Sequence, residues 1–427
     1  MLNVHHATCF IELADWTNFT LRALITCDKM EDENLYTTLS VIKHTSPGPD
    51  ETFDFLSAHC QLTEEVSSII KYFENSIQYL LGSRPFIFAS CLLKYYPVYD
   101  RLWKCSIWLC STFLKRFDYV HHQALRLCLG AYRTSPVPSL YAEAFEPSLS
   151  CRRHKLSLSY YFRILSKDNH PLRETLLNGN NNRLFNARPL CIPHFGLRMR
   201  NILPDTFHYV KVHTNDFLAH PPWMENSLSY INHFGNFNKS DFNNSVLISL
   251  FNQHRQFYQS YQPVFKDGSK SLNHIGYAFF INGHIVSYKL HSFTSVFSSE
   301  ITAVYFALKY IDVHEIRKSI LYTDSISLLE FLRSSSTHNP LIEEVKDFYR
   351  HLLSKGSRIL FSWVPSHLGI TGNELADKSA KSATEFLTRP IVYADVRSAV
   401  SQWCHYQWQE KWNMETNNKL NVIKPVL

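Results

Sequence analysis

Val264-Phe265-Lys266-Asp267-Gly268-Ser269, the run Ile275–Ile281, Asn282-Gly283 and the run Ile285–Leu290 decide the fold of the C-terminal part of this chain. Val264–Asp267 predicts a short strand, and the two longer apolar runs predict two more. Asn-Gly between them is the strongest two-residue hairpin signal, because both central positions of a type I′ turn need positive φ. The segment therefore opens as an antiparallel meander. Working outward, Ser298 reads as a helix N-cap, and Val304, Ala307, Leu308 and Ile311 recur at helical spacing. Ser319–Thr323 reads as a buried strand, followed by a helix over Ile326–Leu332. Pro340 opens a helix through Leu353, and Arg358–Val364 is the last strand. Thr371-x-x-Glu374 reads as a capping box that starts a final helix. The order β-β-β-α-β-α-α-β-α predicts an α/β domain over residues 262–387, with a mixed five-stranded sheet flanked by helices.

Four acids occupy strand ends and helix starts in this scheme, where a scaffold can bring side chains together. Asp267 lies on the first strand, Glu300 in the first turn of the first helix, Asp324 at the end of the strand Ile320–Thr323, and Asp377 in the second turn of the last helix. Gathered carboxylates repel one another and stay ionised only beside a compensating charge. Oxygen ligands suit Mg²⁺ or Mn²⁺. Two such ions about 4 Å apart can hold both the attacking and leaving oxygens of a phosphodiester. Taken singly, each acid has a plainer role. Glu300 fits a helix dipole, Asp324 an N-cap, Asp267 a turn, and Asp377 a solvated helix face. Spacing and periodicity leave their convergence open.

The local motifs are more specific. Phe265-Lys266-Asp267-Gly268-Ser269, Ser298-Ser299-Glu300-Ile301-Thr302-Ala303, Tyr322-Thr323-Asp324-Ser325 and the block from Trp363-Val364-Pro365-Ser366-His367 to Asn373-Glu374-Leu375-Ala376-Asp377 resemble, in order, the four motif blocks of type 1 ribonuclease H. The resemblance implies hydrolysis of the RNA strand of RNA/DNA hybrids with two Mg²⁺ ions, or Mn²⁺. It implies Asp267, Glu300, Asp324 and Asp377 as metal ligands, with Asp267 bridging both ions. His367 matches a mobile-loop histidine that assists metal or product release. Ser269 and Asn373 are the expected substrate contacts, reading 2′-hydroxyls in the wide minor groove. Two positions depart from the pattern. Lys266 stands where relatives commonly carry a small hydroxyl residue, and Ser299 replaces a frequent Ala.

The flanks carry a second resemblance. Asp118-Tyr119-Val120-His121-His122-Gln123 through Thr134-Ser135-Pro136, Leu140–Ala144 and Glu146–Leu149 resemble the segment between polymerase and ribonuclease H in jockey-like non-LTR retrotransposons. Trp408-Gln409-Glu410-Lys411-Trp412-Asn413 and Asn418–Pro425 resemble the stretch after the nuclease in the same polyproteins. No paired-aspartate motif of the Tyr/Phe-x-Asp-Asp type occurs in the chain, so DNA polymerisation is not expected. The implied organisation is an unassigned region at 1–95, a helical thumb or connection remnant at 96–175, a linker at 176–261, the nuclease domain at 262–387 and a helical tail at 388–427. The alternative reading is a catalytically inactive nucleic-acid-binding remnant. A further alternative is a different nuclease on the same fold, against which the His367–Asp377 block argues.

Composition agrees with a folded, nucleic-acid-directed chain. Of its 427 residues, 45% are hydrophobic and 19% charged, which excludes wholesale disorder. The net charge is +6. Lys94–Glu174 holds 13 Lys/Arg against 6 Asp/Glu, whereas Pro263–Glu385 holds 13 against 12. The middle segment is thus the expected phosphate-contacting surface. Ten cysteines, nine of them before residue 192, show no zinc-ligand spacing and read as reduced thiols of an intracellular protein. The apolar stretches Pro85–Leu93 and Leu102–Leu114 are too short to span a bilayer. The expectation is a soluble protein of nucleus or cytoplasm, with nucleic acid as its partner, no membrane association and no protein partner.

Overall fold

The computed structural model describes residues 111–177, 195–214, 228, 230–235, 243–271, 274–334, 339–366 and 368–427. The chain divides into Met1–Phe88 and Ala89–Leu427, and every described residue belongs to the second unit. The expectations for residues 1–95, for most of the breaker-rich stretch after Asn178, and for His367 fall outside the described residues.

The meander forms as expected. Strands β2 (Gln262–Lys270), β3 (Ile275–Ile281) and β4 (His284–Lys289) pair antiparallel. Asn282 and Gly283 turn the chain at φ 53° and 78°, the positive values a type I′ hairpin needs. Helix α7 (Val296–Val313) then crosses to β5 (Lys318–Thr323), which pairs parallel with β2. Helices α8 (Ile326–Arg333) and α9 (Pro340–Ser354) lead to β6 (Arg358–Trp363), parallel to β5. Helix α10 (Thr371–Ser382) closes the domain. The sheet is mixed, as expected, but gains a sixth strand. Within the stretch read as a linker, β1 (Tyr230–Ile231) pairs parallel with β6, giving the order β1-β6-β5-β2-β3-β4. The two residues of β1 carry too little alternation to announce a strand in sequence.

Two apolar layers cover the sheet, one on each face. Val264, Tyr277, Phe279, Ile281 and Leu321 pack against Val304, Ala307, Leu308 and Ile311 of α7, with Ile342 and Val345 of α9. On the other face Phe265, Ile320 and Tyr322 pack against Ala376 of α10 and against Leu247 and Phe251 of α6 (Asn244–Phe257). Strand β2 is therefore central and covered on both sides, which is why its residues from Val264 to Gly268 are all buried.

Two helix starts differ from expectation. The N-cap of α7 is Ser295, whose hydroxyl accepts from Ser298 N at 3.1 Å, so Ser298 lies inside the helix and Glu300 falls in its second turn. The start is fixed from afar: the buried carboxylate of Asp395 accepts from Ser295 N at 3.0 Å. At α10 the N-cap is Ile370 and Thr371 is the first helical residue. Gly369, at φ 82°, presents its own N–H to Glu374 at 3.2 Å, replacing the expected capping box.

The helical region before the sheet comprises α1 (Ser111–Leu129), α2 (Val137–Ala144), α3 (Leu149–Leu165), α4 (Leu172–Leu177) and α5 (Phe195–Ile202). It packs on the C-terminal helix α11 (Tyr393–Asn413), where Leu158 and Phe162 meet Val396, Val400 and Cys404. Trp408 and Trp412 cover Ala142, and Lys424, just beyond α12 (Lys419–Ile423), donates to Ala142 O at 2.6 Å. Several arginines of the basic segment are turned inward to acids: Arg152 to Glu146 at 3.0 Å, Arg153 to Asp118 at 3.5 Å and Arg173 to Asp168 at 2.5 Å. No helix among the described residues is long and apolar enough to cross a membrane.

Helix α1 buries His121 against the ring of Tyr141. Burial, helped by the positive fields of His122 and Arg152, pushes the imidazole down to about 4. Below its ordinary value near 6.5 the unfolded chain takes a proton that the folded chain refuses until about pH 4, so stability falls across that window. The loss amounts to about 3 kcal/mol at its end. His121→Leu should therefore lose less Tm than wild type between pH 7 and pH 4.5. Equal losses in the two proteins would show that His121 does not carry the effect.

Candidate metal centre at the ends of β2 and β5

Parallel register sets the first two carboxylates side by side. Phe265 of β2 stands opposite Tyr322 of β5, their rings stacked 5.1 Å apart. Two residues further on each chain come Asp267 and Asp324, hence at one level and on neighbouring strands. Trp363 Nε1 donates to Asp324 O at 3.1 Å and holds the backbone where β5 ends. Helix α7 brings in Glu300, which accepts from Gly268 N at 3.3 Å. One oxygen from each of Asp267, Glu300 and Asp324 lies within 4.8 Å of the others.

Two glycines let the helices approach. A Cβ on Gly268 would lie 2.5 Å from Ser299 Oγ and 2.6 Å from Glu300 N, so only glycine lets α7 reach β2. A Cβ on Gly372 would overlap the Phe265 ring, so α10 seats on the opposite face only through the missing side chain. That seating brings Asp377 near enough for its charge to act on Asp267. Asp377 also takes Lys381 Nζ at 2.7 Å, one turn along α10.

Burial drives the Asp267 carboxyl well above the usual carboxylate range. The charges of Asp324 and Asp377 push it the same way, and the Lys266 ammonium opposes them. A buried carboxyl beside two others is a group that a cation would relieve, and an all-oxygen donor set is the kind that hard divalent ions accept. The residues thus fit a divalent metal. They would hold it through Asp267, Glu300 and Asp324, whose carboxylate oxygens lie within 4.8 Å of one another.

Glu300 is different. Its Oε2 is engaged by the ammonium of Lys266, a side chain with no exposed surface. The alternation of β2 explains the approach: Val264 and Lys266 face α7, whereas Phe265 and Asp267 face α10. Lys266 stands cross-strand from Phe279, in what is otherwise an apolar row. Burial pulls its ammonium below the ordinary lysine value, while Asp324 and Asp267 hold it up.

The other expected site residues fall as follows. Asn373 is buried in α10, with an Oδ1 that has no hydrogen-bond partner, and Ser269 is half-buried near the end of β2. Asp395 carried no signal in the sequence, because its partner Ser295 lies 100 residues away.

Residues 259–385 match the RNase H family model. The solved RNase H1 of the halophilic archaeon Halobacterium salinarum NRC-1 is similar at 21% identity, over 29% of this chain and 96% of that one, with a TM-score of 0.25. No curated protein matches the chain. The RNase H match is confined to the sheet and the helices that bear the acidic cluster.

Two outcomes follow from the packing and the charge. Gly372→Ala should cost about 1–3 kcal/mol in chemical denaturation, the usual penalty of overpacking against a ring with no room to move. Asp267→Asn removes a buried negative charge from a crowded cluster, so in EDTA at pH 8 its Tm should exceed that of wild type. Mg²⁺ should raise the Tm of wild type and leave the variant nearly unmoved. A lower Tm of Asp267→Asn in EDTA would show that the apo cluster is not under charge repulsion.

Proposed function

We propose that the RNase H domain of this chain hydrolyses the RNA strand of RNA/DNA hybrids, endonucleolytically and with divalent metal. One observation carries the reading. Three carboxylates from separate elements converge within 4.8 Å, inside the segment that matches the RNase H family. Bound there, a divalent ion supplies positive charge to the phosphodiester and lowers the pKa of a water nucleophile.

The chain's own residues prepare the site. The 265–322 register and the Trp363 bond keep Asp267 and Asp324 adjacent and rigid. Gly268 N fixes the rotamer of Glu300 from the strand side. Asn373 and Ser269 are assigned to the hybrid on their motif positions, as contacts to ribose 2′-hydroxyls. His367 is assigned, on its motif, to metal or product release. The flanking resemblance supports derivation of the chain from a jockey-like retrotransposon, with 96–175 as a connection-like segment.

The deciding experiment offers an end-labelled RNA/DNA hybrid to the full chain in Mg²⁺ and in Mn²⁺, beside duplex DNA, duplex RNA and an EDTA control. The expected result is cutting of the RNA strand of the hybrid alone. Asp324→Asn should abolish it with binding retained, and Glu300→Gln should reduce turnover by orders of magnitude. Hybrid binding without cleavage by folded wild type would replace this reading with the non-catalytic one.

A further inference from the structure

A lysine fully buried in a carboxylate cluster is a cation that cannot leave. The stem of Lys266 runs through the apolar layer between β2 and α7, and its ammonium ends on Glu300 Oε2. Its side chain reaches solvent only by opening that layer. Glu300 in turn has an oxygen within 4.8 Å of Asp267 and Asp324, so the ammonium borders the whole cluster. It therefore stands on the α7 side of the cluster, where an ion coordinated by Glu300 would have to sit.

The charge balance agrees. Asp267, Glu300, Asp324 and Asp377 bring four negative charges. Lys266, buried on Glu300, offsets one of them within the cluster, whereas Lys381 on Asp377 is mostly exposed and screened by water. Glu300 is thereby neutralised without an ion. With a small neutral residue at 266, Glu300 would be a buried carboxylate held only by the Gly268 N–H, and the cluster would call for more than one ion.

We propose that Lys266 is a built-in substitute for one of the two metal ions. The chain binds one divalent ion, on Asp267 and Asp324, and Glu300 serves as counter-ion to Lys266 instead of as a metal ligand. This rests on reading the acidic cluster as a divalent-metal site, and it changes the stoichiometry of that site. Lys266 is thereby a positioning residue, acting through Glu300.

The test is Mn²⁺ binding to the full chain, read by calorimetry for stoichiometry and by electron paramagnetic resonance for coupling between ions. Wild type should take one Mn²⁺ per chain with an uncoupled signal, and Asp324→Asn should lose it. Lys266→Thr should take two, with a spin-coupled signal, and Mn²⁺ should raise its Tm more than it raises that of wild type. Lys266→Met, which keeps the volume and removes the charge, guards against misfolding of the smaller variant. With Glu300 left unpaired, it too should gain more Tm from Mn²⁺ than wild type.

Two ions in wild type, or one ion in both wild type and Lys266→Thr, would overturn the substitution and leave the metal-site reading standing. No Mn²⁺ in any of these proteins would overturn both.

Discussion

Strand β2 has to carry charge through the middle of the domain. It is the central strand, helices cover both of its faces, and its inward row holds Lys266 where the pattern of Val264, Tyr277 and Phe279 calls for an apolar residue. Charge in such a place survives only when paired, and breaking a buried pair costs about 3–5 kcal/mol. Lys266 and Glu300 supply that pairing on the α7 face. On the other face Asp267 stands among carboxylates, and the field of Lys266 relieves it only in part. The folded chain thus stores repulsion on one side of a strand and neutralises it on the other, at consecutive residues.

Holding these groups so close demands unusual approach distances. Gly268 and Gly372 are the two points where side chains are missing so that α7 and α10 can seat against β2. Stability is given up for proximity here, since each glycine gains backbone freedom on unfolding. The apolar layers of Phe265, Tyr322 and Ala376 on one face and Ile301, Val304 and Leu308 on the other restore it.

The site is also tied to parts of the chain outside the domain. Asp395, at the start of α11, accepts from Ser295 N and so sets where α7 begins, five residues before Glu300. Helix α11 packs in turn on α3. The helices before and after the sheet therefore belong to the support of the acidic cluster, whatever their own history. A change in that packing reaches the start of α7 through the Asp395–Ser295 hydrogen bond and through Val392, which packs in the core beside that helix.

Much of this was legible in the sequence because it is local. The Asn282-Gly283 turn needs only positive φ, and the β-β-β-α-β-α-α-β-α order needs only runs of period 2 and period 3.6. The motif blocks pointed to Asp267, Glu300, Asp324 and Asp377, and the fold brings the first three within 4.8 Å of one another. What lay beyond sequence was everything set by register or by contacts across long separations. Alternation put Lys266 on the α7 face, but only the packing of that helix brought Glu300 to it. Only the pairing of β1 with β6 shows a sixth strand, and only Asp395 shows why α7 starts at Val296. A sequence determines which residues prefer a strand, a turn or a helix, because those preferences act over a few bonds. Which charges meet in the interior is decided by tertiary structure, because burial strengthens their interaction only after distant segments have excluded water from between them.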